Sequence, residues 1–222
     1  MFDDPSFRRG AAESAMLFFT TGAFGLLYGV LAVEAGFSPI LAIFSSVVIV
    51  SGAAQFTMIG LLAAGPAPVL ISAVGLGLRH IPMSATMASM MGHRSLGTRL
   101  RMAWILVDES FGLTVRAYQR GVADIVAYKT AADLILYSGL VVGTILGALL
   151  GAQVDPAAAG VGVFFPLLFL GLAAPMVRTR RELVVAGMTI VTTLVAVTLL
   201  PPAWQLTVGA AVAAGLGASV DG

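Results

Sequence analysis

Formal charge is spread along this chain in a way that few folds can accept. Between Ser14 and His93 only Glu34 and Arg79 are charged, between Leu134 and Val177 only Asp155, and between Leu183 and Val220 no residue at all. Gaps of this length fit a bilayer, whose hydrocarbon core of roughly 30 Å takes about 20 apolar residues as helix. Spans are expected near 14–33, 39–64, 67–92, 132–153, 157–177, 183–200 and 203–220, with Pro201 and Pro202 dividing the last two. The fold class that follows is all-α, a polytopic integral membrane protein of seven transmembrane helices, some of them broken. Residues 1–13 read as a cytoplasmic N-terminal segment and 14–222 as a single transmembrane domain. The first apolar run is too long for a secretory signal, lacks a small-residue cleavage site, and is followed by further spans.

Composition excludes the alternatives. Of 222 residues 59% are hydrophobic and only 10% charged, against about 25% charged in a soluble domain, so a water-facing surface cannot be built. The net charge of +1 offers no field to nucleic acid. The absence of cysteine removes disulfides, thiol nucleophiles and thiolate metal sites, and two histidines leave little for a metal. No metal or cofactor is expected. His-Glu-x-x-His and Walker A patterns are absent, so enzymatic activity is not expected either.

The basic clusters, Arg8 and Arg9, then Arg94, Arg99 and Arg101, then Arg178, Arg180 and Arg181, belong in the cytoplasm by the positive-inside rule. Two expected spans separate the second and third clusters, which fits. Three separate the first and second, which does not, so something in the first half is not a simple crossing. Broken helices are the favoured cause: Ser51-Gly52-Ala53-Ala54-Gln55 interrupts one apolar stretch and Leu78-Arg79-His80-Ile81-Pro82 the next. Irregular backbone at membrane depth is tolerated where it is buried or lines a wet cavity. The charged stretch 94–131 reads as an interfacial or re-entrant helical hairpin, or else as a solvated loop. A faint echo between Gly36-Phe37-Ser38-Pro39 after the first span and Gly151 to Pro156 after the fourth suggests an inverted three-plus-three repeat with one extra helix. Glycine-rich runs such as Gly143 to Gly151 read as helix-packing faces.

Three polar sites stand out, because polar groups in hydrocarbon are costly and functional by default. Arg79 needs an anion, either an acidic side chain such as Asp108 or Glu109 or the carboxylate of a substrate held bidentately. The bland reading is an interfacial arginine that snorkels. His80 beside it is a proton carrier near neutral pH or a structural residue. Ser51, Gly52, Ala53, Ala54 and Gln55 offer unwound backbone to a zwitterion, or alternatively a small-residue packing face with Gln55 as interhelical glue. Phe56, Phe24, Tyr28 and Met83 are pocket or core. Asp108 and Glu109, adjacent carboxylates before Ser110-Phe111-Gly112, suit a proton carrier or an ordinary charged loop.

These sites, in this order, resemble the AzlC family of branched-chain amino acid exporters, named for azaleucine resistance. The resemblance rests on Ala23-Phe24-Gly25, Gly36-Phe37-Ser38-Pro39, Gly52-Ala53-Ala54-Gln55-Phe56, Leu61-Leu62-Ala63-Ala64-Gly65, Leu78-Arg79-His80, Val107-Asp108-Glu109-Ser110-Phe111 and Pro166-Leu167-Leu168-Phe169. It covers the chain from Phe7 to Leu216. Thr20-Thr21-Gly22 stands where family members often have a proline in the first span, and Gly77 where they often have Asn or Asp. The resemblance implies a multi-pass permease of the bacterial cytoplasmic (inner) membrane that exports valine, leucine and isoleucine. It also implies an ion gradient as driving force and a small AzlD-type membrane subunit as partner, in a homo- or hetero-oligomer. Rival readings are a channel or a carrier for another small solute, and a non-transporting assembly subunit.

Overall fold

The computed structural model describes residues 3–92, 94–153, 177, 179–201, 204, 208, 212 and 215, and among them all regular structure is helical. The chain divides into two compact units, one of residues 1–55 and 77–155, the other of 56–76 and 156–222.

The first unit begins with α1 (Pro5–Glu34), started by the Asp4 side chain, which accepts from Ser6 N at 2.7 Å, and by Pro5 in the first turn. It ends at Gly36, whose φ of 95° is the left-handed value that favours glycine. There Gly36 N donates to Val33 O and Phe37 N to Ala32 O, closing the last carbonyls. Ser38 then caps α2 (Pro39–Val48). Gly36-Phe37-Ser38-Pro39 is thus a helix stop followed by a helix start. The unit continues with the first turn of α3 (Gly52–Leu61), then α5 (His80–Met91), α6 (Leu96–Trp104), α7 (Asp108–Gln119) and α8 (Ile125–Gly151). Between α3 and α5 the chain forms a 3-10 turn (Leu62–Ala64) and α4 (Pro66–Gly77).

Pairing of α1 with α8 organises this unit. A Cβ on Gly10 would meet the backbone of Tyr128, on Gly139 that of Phe18, on Gly143 that of Gly22, on Gly147 that of Leu26 and on Gly151 that of Val30. Glycine lets the two main chains touch, the small-residue device of membrane helices. Both partners advance together through this series, so α1 and α8 run parallel. Glu13 fixes the register at one end, accepting from Arg9 at 2.8 Å, Arg120 at 2.6 Å and the Tyr128 hydroxyl at 2.7 Å.

Parallel α1 and α8 start on the same face, so residues 35–124 make an odd number of net crossings. That removes the mismatch of basic clusters. Stretch 39–64, expected as one broken span, is two short apolar helices, while Pro66–Met91 is long and apolar enough to cross. At 10 residues α2 reaches about 15 Å, half the hydrocarbon core. In an inverted repeat equivalent first and fourth spans would be antiparallel, so the parallel course of α1 and α8 lends the expected repeat no support.

Three boundaries differ from expectation. The break in 39–64 falls at Ile49–Ser51, and Gly52–Gln55 is the helical first turn of α3 rather than unwound backbone. The break in 67–92 falls at Leu78–Arg79, with Pro82 in the first turn of α5 where its missing N–H costs nothing. Helix α8 begins at Ile125, seven residues before the expected 132, capped by Asp124. The stretch 94–131 consists of α6, α7 and the opening turns of α8.

Within the second unit the described residues include the remainder of α3, most of α4, and α9 (Arg180–Leu199). Helix α9 opens with a reciprocal cap between Thr179 and Glu182, and Leu183, Ile190, Leu194 and Val197 along it are exposed, as a lipid-facing helix requires. In all, four described stretches are long and apolar enough to span: Pro5–Glu34, Pro66–Met91, Ile125–Gly151 and Arg180–Leu199. The expected spans 157–177 and 203–220 and the Pro166–Phe169 stretch lie outside the described residues, apart from positions 177, 204, 208, 212 and 215.

Candidate functional site

Two helix breaks and one inter-helix link meet in the first unit. Arg79, at the break before α5, reaches Asp108 at the start of α7, Nη1 to Oδ2 2.8 Å, and its Nη2 donates to Ser51 Oγ at 3.5 Å. Its Nε is buried without a partner. Of the anions weighed for Arg79, Asp108 is the one it pairs with. Glu109 is exposed and forms no ion pair among the described residues. As acidic residues in the first turn of α7, both carboxylates also face the positive end of that helix.

His80 lies between two carbonyls, Nδ1 3.2 Å from Gly77 O and Nε2 3.0 Å from Leu106 O. A neutral ring donates to one of these only. The adjoining carbonyl, Ile105 O, accepts from Lys129 Nζ at 2.7 Å. The non-helical link Ile105–Val107, between α6 and α7, therefore touches His80 and Lys129 through successive carbonyls and leads directly into Asp108.

Lys129 is the residue that sequence reasoning missed. It is fully buried, paired with Asp133 at 2.5 Å, and Asp133 Oδ1 has no partner. A span starting at 132 leaves Lys129 with the charged stretch 94–131, whereas α8 starts at Ile125 and includes it. The usable signal was the opposite charge four residues on, flanked by Thr130, Ala131 and Ala132.

Gln55 and Tyr28 belong to a second buried group. Gln55 Nε2 donates to Ser46 Oγ at 2.7 Å, Ser46 Oγ lies 2.8 Å from Thr144 Oγ1, and the Tyr28 hydroxyl lies 2.6 Å from Ser45 Oγ. These bonds join α1, α2, α3 and α8, so Gln55 acts as interhelical glue. Its Oε1 is the one orphaned atom of the group. Ser51 reaches Arg79, while Gly52, Ala53 and Ala54 are half-buried in the first turn of α3. Phe24 is half-buried on α1, and Phe56 is buried as the first residue of the second unit.

A cavity of about 310 Å³ lies between α5 and α6, lined by Met87, Ala88, Met91, Leu100, Met102 and Leu106 among others, with Arg99 on its wall. That is the lower range for a small-ligand pocket. Leu106, whose carbonyl faces His80, is among its lining residues. Met83 packs in the adjoining core with Met87, Met91 and Met102. No group of metal-ligating side chains occurs among the described residues.

The family model described as AzlC protein matches residues 17–154, which include every residue of this site. The chain belongs to the AzlC family. An "Uncharacterized membrane protein" of Archaeoglobus fulgidus is 30% identical over 182 residues, covering 79% of this chain and 78% of the relative. "Inner membrane protein YgaZ" of Escherichia coli is 25% identical over 196 residues, covering 82% and 78%. No solved structure matches the chain. As an AzlC protein it is an integral membrane protein, and its site lies in the part that the family model covers.

Proposed function

We propose that this AzlC protein is a secondary transporter that exports branched-chain amino acids across the bacterial inner membrane, together with a small AzlD-type membrane subunit. The observation that carries the reading is the Arg79–Asp108 pair at the meeting of two helix breaks, a cation whose present anion can be exchanged for another. A substrate carboxylate replaces Asp108 on the guanidinium and takes up its parallel donors. Ser51, within reach of Nη2, completes the carboxylate site. The methionine-lined cavity accepts the aliphatic group, because flexible thioether side chains adapt to leucine, isoleucine and valine alike. Broken helices at the binding site and rocking of one bundle against another are the usual plan of such carriers.

The test is efflux of labelled leucine or valine from loaded vesicles that contain this chain and its small partner. Saturable efflux that follows an ion gradient is the expected result. Conductance without a gradient, unaffected by Arg79→Ala, supports the channel reading in its place, and failure of every branched-chain amino acid to move or bind removes the exporter reading.

A further inference from the structure

A fully buried ion pair is no better for stability than well-packed apolar residues of the same size, so its presence in a membrane helix asks for another reason. Lys129 is completely buried and Asp133 nearly so, and three features set the pair apart from a structural clasp. Asp133 Oδ1 is buried and has no hydrogen-bond partner, and the neighbouring hydroxyl, that of Ser110, donates to Val107 O, which leaves Oδ1 a ready place for a proton. Lys129 Nζ has a second ligand, Ile105 O, on which it can stay when the carboxylate is neutralised. Ile105 is also the first residue of the link that holds His80 at Leu106 O and ends at Asp108, the partner of Arg79.

We propose that Lys129 and Asp133 are the proton-coupling element of this transporter, with protonation of Asp133 releasing Lys129 and the link Ile105–Val107 carrying that change to the Arg79–Asp108 pair. This inference rests on the transporter reading above. The proton comes from the aqueous phase on one side, binds at Asp133 Oδ1 and is given up to the other side as the pair re-forms. While it is bound, the ammonium keeps the Ile105 carbonyl and loses its carboxylate. The link is then free to shift, and with it the anion that competes with substrate for Arg79.

The pair is insulated from other titrating groups. On the elements packed against α8 the ionisable residues are Arg8, Arg9, Glu13, Tyr28 and Glu34 of α1, His80 of α5, Arg99 and Arg101 of α6, and Asp108, Glu109, Arg116 and Tyr118 of α7, with none on α2. Among the described residues none of them forms a hydrogen bond or ion pair with Lys129 or Asp133. His80 is the nearest in connection, one carbonyl away along the link.

Proteoliposomes with the chain and its small partner separate coupling from binding. Exchange of labelled for unlabelled leucine needs only binding and reorientation, whereas accumulation needs the gradient. In Asp133→Asn, accumulation driven by a pH gradient is lost while exchange is kept. The double variant Lys129→Met, Asp133→Asn leaves no unpaired buried charge and behaves the same way, which covers the case in which the single variant fails to fold. Accumulation by pH gradient that survives in either variant overturns the assignment. So does wild-type accumulation that follows a sodium gradient instead, or loss of exchange in the double variant. Absence of exchange in the wild type sinks the transporter reading itself, and this inference with it.

Discussion

Arg79 and Asp108, 29 residues apart in sequence, close an ion pair of 2.8 Å between a helix break and a helix start. If the substrate carboxylate takes the place of Asp108, the two anions compete. Asp108→Asn is then expected to lower the KM for leucine export and to slow the maximal rate, because release loses the group that displaces product. A raised KM would show that Asp108 assists binding instead. Arg79→Lys is expected to raise KM by roughly 10- to 100-fold, since a point charge does not reproduce two parallel donors worth about 1.5–3 kcal/mol.

Narrowing the methionine-lined cavity should change selectivity. Ala88→Leu adds bulk to its wall, and one methylene of misfit is worth about 1–3 kcal/mol. Export of leucine and isoleucine is expected to fall relative to valine, measured by competition in vesicles. Equal loss for all three places the aliphatic group elsewhere.

The parallel course of α1 and α8 can be tested by labelling, helped by the natural absence of cysteine. Single cysteines at Asp3 and Ala123 are expected to react with an impermeant thiol reagent from one face of the membrane, and those at Phe37 and Gln153 from the other. Opposite labelling of Asp3 and Ala123 contradicts the arrangement.

The glycine seam should tolerate no side chain. Gly143→Ala drives a methyl into the Gly22 carbonyl, and overpacking of this kind costs typically 1–3 kcal/mol. Thermal unfolding in detergent should show the loss. Gly187→Ala on α9, where a Cβ meets open space, is expected to be neutral or stabilising by up to about 1 kcal/mol through helix propensity.

The Ser46–Thr144 bond offers a measure of the glue between helices. Thr144→Val removes that bond and is expected to cost about 0.6 kcal/mol, the average for interhelical hydrogen bonds in membranes, while Ser46→Ala also takes the acceptor from Gln55 Nε2 and is expected to cost more. Because the Ser46–Thr144 bond is lost in both, the double variant should cost little more than Ser46→Ala alone. Full additivity indicates that the hydroxyls act separately.

Sequence patterning revealed a helical membrane fold, a break beside Arg79 and the packing role of Gly143 to Gly151, because each leaves a local mark: a charge gap, a proline, a four-residue glycine period. Asp108, one of the two carboxylates the sequence offers to Arg79, is its partner. Other features leave no such mark. Gly52-Ala53-Ala54-Gln55 interrupts the apolar stretch and so reads as a break, yet Ala and Gln are good helix formers and the segment is the first turn of α3. Lys129 and Asp133 escape notice because a span boundary placed at 132 falls between them and separates the two charges. Two opposite charges one turn apart cancel each other inside the hydrocarbon, and only their spacing betrays them. The direction of α8 relative to α1 is a property of the folded bundle that no local pattern encodes.

The glycine seam also bears on how such a protein can move. Where α1 and α8 meet main chain to main chain, no side chains stand between them to change rotamer, and sliding by a fraction of a turn would drive carbonyls into each other. The two helices form a single thick post. On the transporter reading, motion that opens the site to one side and then the other falls to the short segments hung on that post by Ser46–Thr144, Tyr28–Ser45 and Lys129–Ile105 and tied to one another by Gln55 and Arg79, through single polar contacts that can be traded one at a time.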